Sequence, residues 1–158
     1  MLYVWIMYYI LITTDSYNNY GSKVSAYDIC KVRLKNNCWP LYKGTSNLKK
    51  IKIKDKFVVY LGGNRDYRQH FIASFECVSI IDKKLKNVDE KLLELTNSPP
   101  EKEIIFKENN STKKISIMDI IDLLDHTKNR KRKWGSLMMG GCVNISHKDY
   151  KFITSKLR

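Results

Sequence analysis

Histidine and cysteine are too sparse and too badly spaced for a metal centre. The four cysteines stand at 30, 38, 77 and 142 with no Cys-x-x-Cys pair, and His70, His126 and His147 are isolated from one another. This pattern argues against a zinc knuckle and a thioredoxin-type redox site, so neither a metal nor a cofactor is expected. A phosphate loop is missing too. "LGGNRD" (61–66) has glycines but no Gly-Lys-Ser/Thr, and it reads as a turn between strands. "NISHKD" (144–149) reads as a helix cap, not as part of a Ser–His–Asp arrangement, and Asp122 and Asp125 read as a helix surface. The chain is therefore not expected to be an enzyme.

Long apolar runs are scarce. The one at the start, "MLYVWIMYYILITT", is apolar for about a dozen residues, short of a bilayer span. It has no basic leader and no small-residue cleavage site. Its Tyr, Val, Ile and Trp content predicts a central strand, with Met7 as a second candidate start. No membrane partner is expected, and free thiols without a secretion signal place the chain in a reducing, cytoplasmic compartment.

Acidic residues are the other shortage. Against 16 Asp and Glu stand 29 Lys and Arg, a net charge of +13 over 158 residues. Such an excess favours a polyanion, most simply nucleic acid. The bland alternative is a general solubility charge. With 43% hydrophobic and 11% aromatic residues the chain has what a core needs. The length fits one domain, 1–158, with its core over about 7–155.

After the first strand, "TDSYNNYGSKV" (14–24) is a polar turn region. A short helix is predicted over 25–37, capped by Ser25 with Asp28 three residues on and stopped by Asn36-Asn37. "CWPLYKGTSNLKK" (38–50) is expected to be a loop because Pro40 and Gly44 interrupt regular structure. "KFVVYLGG" (56–63) reads as a strand buried on both faces, and "HFIASFECVSI" (70–80) as its antiparallel partner. Residues 82–97 read as a helix or a long excursion ended by Pro99 and Pro100, and 102–108 as a strand. Residues 116–127 predict an amphipathic helix capped by Ser116. A final helix is capped by Ser146, with Tyr150, Ile153 and Leu157 on one face. No repeat or low-complexity linker interrupts this order. Short strands with interspersed helices make an α+β domain around a small curved or barrel-like mixed sheet.

Two tryptophans share one setting. Trp39 precedes "KGTSNLKK", and Trp134 ends the basic run "NRKRK". An indole beside several cations suits a stacked base flanked by bound phosphates. Equally, either indole can plug a core with its N–H satisfied. On the first reading Lys43, Lys49, Lys50, Arg130, Lys131, Arg132 and Lys133 hold the backbone.

Two stretches resemble the EVE domain family. The first runs "MYYILITTDSYNNY…DICKVRLKNNCWPLYKGTSNLKKIKIKDKFVVYLGG…HFIASFECVSI"; the second is "NRKRKWGSLMMGGCVNISHKDYKFI". Strand, helix, Asn-x-Trp, "DKxVxY", basic run, Trp and "ISxxDYxxI" follow in the family's order, from about residue 7 to 155. EVE domains are PUA-like and similar to YTH domains, which read modified bases. The resemblance implies a PUA-like curved mixed sheet or open barrel flanked by short helices, with a pocket for one modified base, a methylated one being the leading case. It implies Trp39 as one aromatic wall, Trp134 as the other, and Thr13, Thr14 and Asp15 on the pocket rim, with Asn37 and Tyr60 flanking. The YTH pattern has Ser-Thr after the first Trp; Pro40 and Leu41 stand here. The implied partner is DNA or RNA carrying the modified base, with a nuclease or RNA-processing protein alongside. The competing reading is a general RNA-binding module indifferent to modification. An enzyme acting on nucleic acid and a protein that docks an acidic partner are further alternatives.

Overall fold

Three apolar runs that alternate between two faces organise the chain into a mixed sheet. The computed structural model describes residues 5–18, 20–82, 100–109 and 111–158, with backbone only at 131 and 132. Strand β1 (Tyr8–Thr13) lies parallel to β5 (Lys56–Leu61) and antiparallel to β9 (Cys142–Ile145). From β5 the sheet continues antiparallel through β6 (His70–Asp82) and β7 (Lys102–Asn109) to β4 (Cys38–Leu41) at the edge. The order is thus β4-β7-β6-β5-β1-β9, with the short β8 (Ile115–Ser116) added beside β6. A separate two-residue pair, β2 (Ser16–Tyr17) and β3 (Lys23–Val24), follows β1. Register shifts at Val59/Tyr60 and Cys77/Ser79 bend the sheet, as bulges do. The result is a curled half-barrel flanked by two helices.

The period-2 alternation divides the core in two. Tyr9, Leu11, Phe57, Val59, Leu61, Ala73 and Phe75 face one side, where they join Trp39, Leu41, Ile104 and Phe106. Helix α1 (Ala26–Lys35) covers this side with Ala26 and Cys30. Ile10, Val58, Tyr60 and Phe71 face the other side, beneath helix α2 (His147–Leu157) and its Tyr150, Ile153 and Leu157. Each large apolar side chain so buried contributes about 1.5–3 kcal/mol. Phe57, Phe75 and Phe106 stack in series, with centroids 5.2 and 3.9 Å apart.

Both helices start where their caps stand. Ser25 Oγ accepts a hydrogen bond from Asp28 N at 3.1 Å, and Ser146 Oγ one from Asp149 N at 3.1 Å. Asn37, at φ 52°, turns the chain out of α1 in the left-handed conformation that asparagine tolerates.

Two expectations need correction. Residues 38–41 form β4 and not a loop: Pro40 is admissible because β4 is an edge strand, where a missing N–H costs no ladder bond on the open side. The helix expected over 116–127 is only a 3₁₀ turn, Ile117–Asp119, followed by further turns. Ser116 does cap it, accepting from Met118 N, but Thr127 Oγ1 then takes the Ile121 carbonyl at 2.6 Å. The Asp149 carboxylate takes the amides of Asp125 and His126, both at 2.9 Å. Side chains thereby satisfy groups that a helix would pair with itself. The excursion expected over 82–97 lies, from residue 83 on, outside the described residues.

Candidate functional site

A cavity of about 180 Å³ opens where β1 and β4 end beside α1. β1 and the residue after it supply Ile12, Thr13 and Thr14. β4 supplies Trp39, Pro40 and Leu41, followed by Tyr42 and Thr45, and α1 supplies Ile29 and Arg33. Ser16 and Gly141 complete the rim. Its lining mixes apolar side chains with the hydroxyl-bearing Thr13, Thr14, Ser16 and Thr45, which suits a small guest with both apolar and polar groups.

Arg33 is the unusual member. It sits one turn beyond Ile29 on the buried face of α1, and it is only 7% exposed. Its Nη1 donates to Thr13 Oγ1 at 3.3 Å, and its guanidinium carbon lies 4.8 Å from the centroid of the Trp39 ring. Nε is buried and has no hydrogen-bond partner. Among the described residues no carboxylate comes within 4.0 Å of it. Removing a cation from water costs several kcal/mol unless partners replace the solvent. One hydroxyl and one ring face are thin compensation, so the cavity is electrostatically incomplete toward an acceptor.

The two tryptophans do not face each other. Trp39 lines the cavity but is 3% exposed, packed in the α1-side cluster with Phe75 at 5.9 Å and with Arg33 over its ring. Trp134 lies in the 3₁₀ helix Lys131–Leu137 and packs against the α2-side cluster. The sheet separates these clusters, so the expected indole sandwich is absent. Three other expected pocket residues have structural jobs instead. Tyr60 points to the α2 side, against Phe71, and burial there pushes its hydroxyl up to about 12. Asn37 supplies the left-handed turn, and its carbonyl accepts from Phe106 N.

Asp15 is a clamp. Its Oδ1 accepts from Ala26 N at 2.9 Å and its Oδ2 from Asn64 N at 3.1 Å, joining the start of α1 to the loop after β5. Burial alone would raise its pKa, but those two amides, with Lys23 and Arg65 nearby, outweigh burial and hold it below the usual aspartate value. Thr13 and Thr14 stand in the cavity wall.

Lys43, Lys49 and Lys50 are exposed around a shallow surface groove that also contains Thr45, the residue shared with the cavity wall. Cationic groups therefore border the cavity on that side. Arg130 and Lys133 are exposed on the segment that includes Trp134, and the side chains of Lys131 and Arg132 lie outside the described residues. This segment returns to the cavity through Gly140 and Gly141, both at positive φ: Gly140 O accepts from Ser46 N at 2.8 Å and Gly141 O from Ile12 N at 2.9 Å. Arg33, Tyr42, Thr45 and Gly141 line the cavity although no sequence motif marks them as site residues. A signal existed only for Arg33, a cation at helical spacing on an apolar stripe. No helix among the described residues is long and apolar enough to cross a membrane.

No family model matches the sequence, and no curated protein matches it. Solved structures do. The YTH domain of Zygosaccharomyces rouxii MRB1, determined with N6-methyladenosine RNA, superposes with a TM-score of 0.59 at 9% identity, over 99% of this chain and 92% of that one. Human THYN1 in complex with 5-methylcytosine-containing DNA gives 0.53 at 11% identity, over 94% and 96%. Protein Atu2648 from Agrobacterium tumefaciens gives 0.51 at 14% identity, over 94% and 91%. The fold is thus the PUA-like one of the YTH and EVE type, as the two sequence stretches implied.

Proposed function

We propose that this PUA-like fold, of the kind found bound to N6-methyladenosine RNA in one neighbour and to 5-methylcytosine DNA in another, serves here as a non-enzymatic reader of nucleic acid. The cavity beside α1 takes one unpaired, modified base, and Lys43, Lys49 and Lys50 hold the adjoining phosphates. The observation that carries this reading is the contiguity of cavity and lysine groove through Thr45. A base entering the cavity would leave its own phosphates over cations. Each neutralised phosphate makes affinity fall with salt, with a slope of about 0.7 per contact on a single strand.

Binding of labelled single-stranded oligonucleotides, with and without one methylated base, tests the reading by fluorescence anisotropy across a salt series. Tighter binding of the methylated strand, lost when the cavity wall is altered by Thr14→Trp, is expected. Salt-independent or absent binding refutes the reading. One observation favours a module without modification preference: Arg33 and Phe75 already pack on Trp39, so no open indole face awaits a methylated base. Equal affinity for both strands, with a steep salt slope, is the result of that second case.

A further inference from the structure

Resting on the base-binding reading above, we infer that Arg33 sets which base the cavity accepts: one whose edge carries two neighbouring hydrogen-bond acceptors. The Arg33 guanidinium is short of acceptors. Arginine has five N–H donors in a rigid planar fork and no acceptor. Here the side chain is 7% exposed, Nη1 is committed to Thr13 Oγ1, Nε has no partner, and no carboxylate is in range among the described residues. The guanidinium carbon lies 4.8 Å from the centroid of the Trp39 ring, and as a lining residue of the cavity Arg33 meets a guest with its remaining N–H groups. The guest is therefore selected by paired acceptors and not by aromatic stacking alone.

Base chemistry then sorts the candidates. Guanine offers O6 beside N7, and cytosine offers N3 beside O2; a fork can donate to both atoms of either pair. Adenine places an N–H next to both N7 and N1, and N6-methyladenine an N–H on one side and its methyl on the other, so one arm of the fork would meet a donor or a methyl. Uracil and thymine have an N–H between their two carbonyls. The cavity thus suits a guanine- or cytosine-class base, including cytosine methylated at C5, whose methyl is remote from the N3/O2 edge. A carboxylate attached to a base presents the same paired-acceptor chemistry with added charge.

Calorimetric titration of the intact chain with free nucleosides decides this. 5-Methylcytidine, guanosine, 5-carboxycytidine and N6-methyladenosine are compared at fixed ionic strength. The first three are expected to bind at least about tenfold more tightly than N6-methyladenosine. 5-Carboxycytidine ahead of 5-methylcytidine identifies charge as an added contribution. Arg33→Lys keeps the cation but loses the fork, and is expected to abolish the preference; Arg33→Met, which fills the same space, does the same without the charge. Thermal unfolding checks that both variants are folded, and if neither is, Thr13→Val in the wild-type background removes the fork's anchor and carries the test. N6-methyladenosine binding as well as the others, or a preference surviving these changes, overturns the inference while leaving the reader function standing. Loss of oligonucleotide binding by the wild-type chain removes the reader function itself.

Discussion

Asp15 distinguishes a clamp from a base contact, because the two roles predict opposite outcomes. As a clamp it ties α1 to the loop after β5 with two hydrogen bonds from backbone amides to a carboxylate. Bonds to a charged group contribute about 1.5–3 kcal/mol each when buried. This carboxylate is partly exposed, so the lower end applies, and Asp15→Ala is expected to cost about 2–3 kcal/mol in all. Asp15→Asn keeps one acceptor oxygen and should recover about half of that. The pKa adds a second handle. Because the folded state holds it below the ordinary value of 3.8, the stabilisation is complete above that pH. It is lost as pH falls through the lowered folded value, so wild type and Asp15→Asn should converge in that acidic window. Urea unfolding followed by circular dichroism, at neutral pH and at steps below 4, measures both effects. If Asp15→Ala unfolds within about 0.5 kcal/mol of wild type, yet oligonucleotide affinity falls, the clamp is wrong and the residue contacts the guest.

Four further outcomes are expected. Gly63→Ala should destabilise the same clamp, since Gly63 has φ 75° and an added Cβ would lie 2.5 Å from Asp15 Oδ1; unfolding at a wild-type urea midpoint would refute this. Changing Lys43, Lys49 and Lys50 together to Gln should lower the salt slope of single-strand binding by about 2, and an unchanged slope removes them from the backbone contacts. Asp149→Ala should cost about 3 kcal/mol by freeing the amides of Asp125 and His126, read as a shifted unfolding midpoint. Burial pushes the thiols of Cys30 and Cys77 up to about 11 and that of Cys142 to about 12, so a thiol reagent at pH 7.5 should label half-buried Cys38 first. Rapid labelling of all four without denaturant would contradict that packing.

Much of the architecture was legible because its signals were local. Ser25 and Ser146 stand at their caps, Phe57–Leu61 is an apolar run between polar turns, and 70–80 alternates cleanly. β4 was hidden because Pro40 normally vetoes a strand, and only knowledge of which strand lies at the edge lifts that veto. The turns after Ser116 kept the apolar spacing of a helix while Asp149, distant in sequence, claimed their amides. The site was legible only in part. Thr13, Thr14 and Trp39 line one cavity, but basic sequence around both tryptophans said nothing about which face of the sheet each would occupy. Arg33 escaped notice as a site residue because a cation on a short helix ordinarily points to water.

The parallel β1–β5 pairing, Tyr8 opposite Lys56, has a kinetic corollary. Joining strands so far apart in sequence closes a large loop before any reward arrives, which makes such pairing slow. Gly141 reaches Ile12 across a still longer stretch of chain. The recess that Thr13, Trp39 and Gly141 enclose therefore depends on partners far apart along the chain, and no short fragment contains all of its walls.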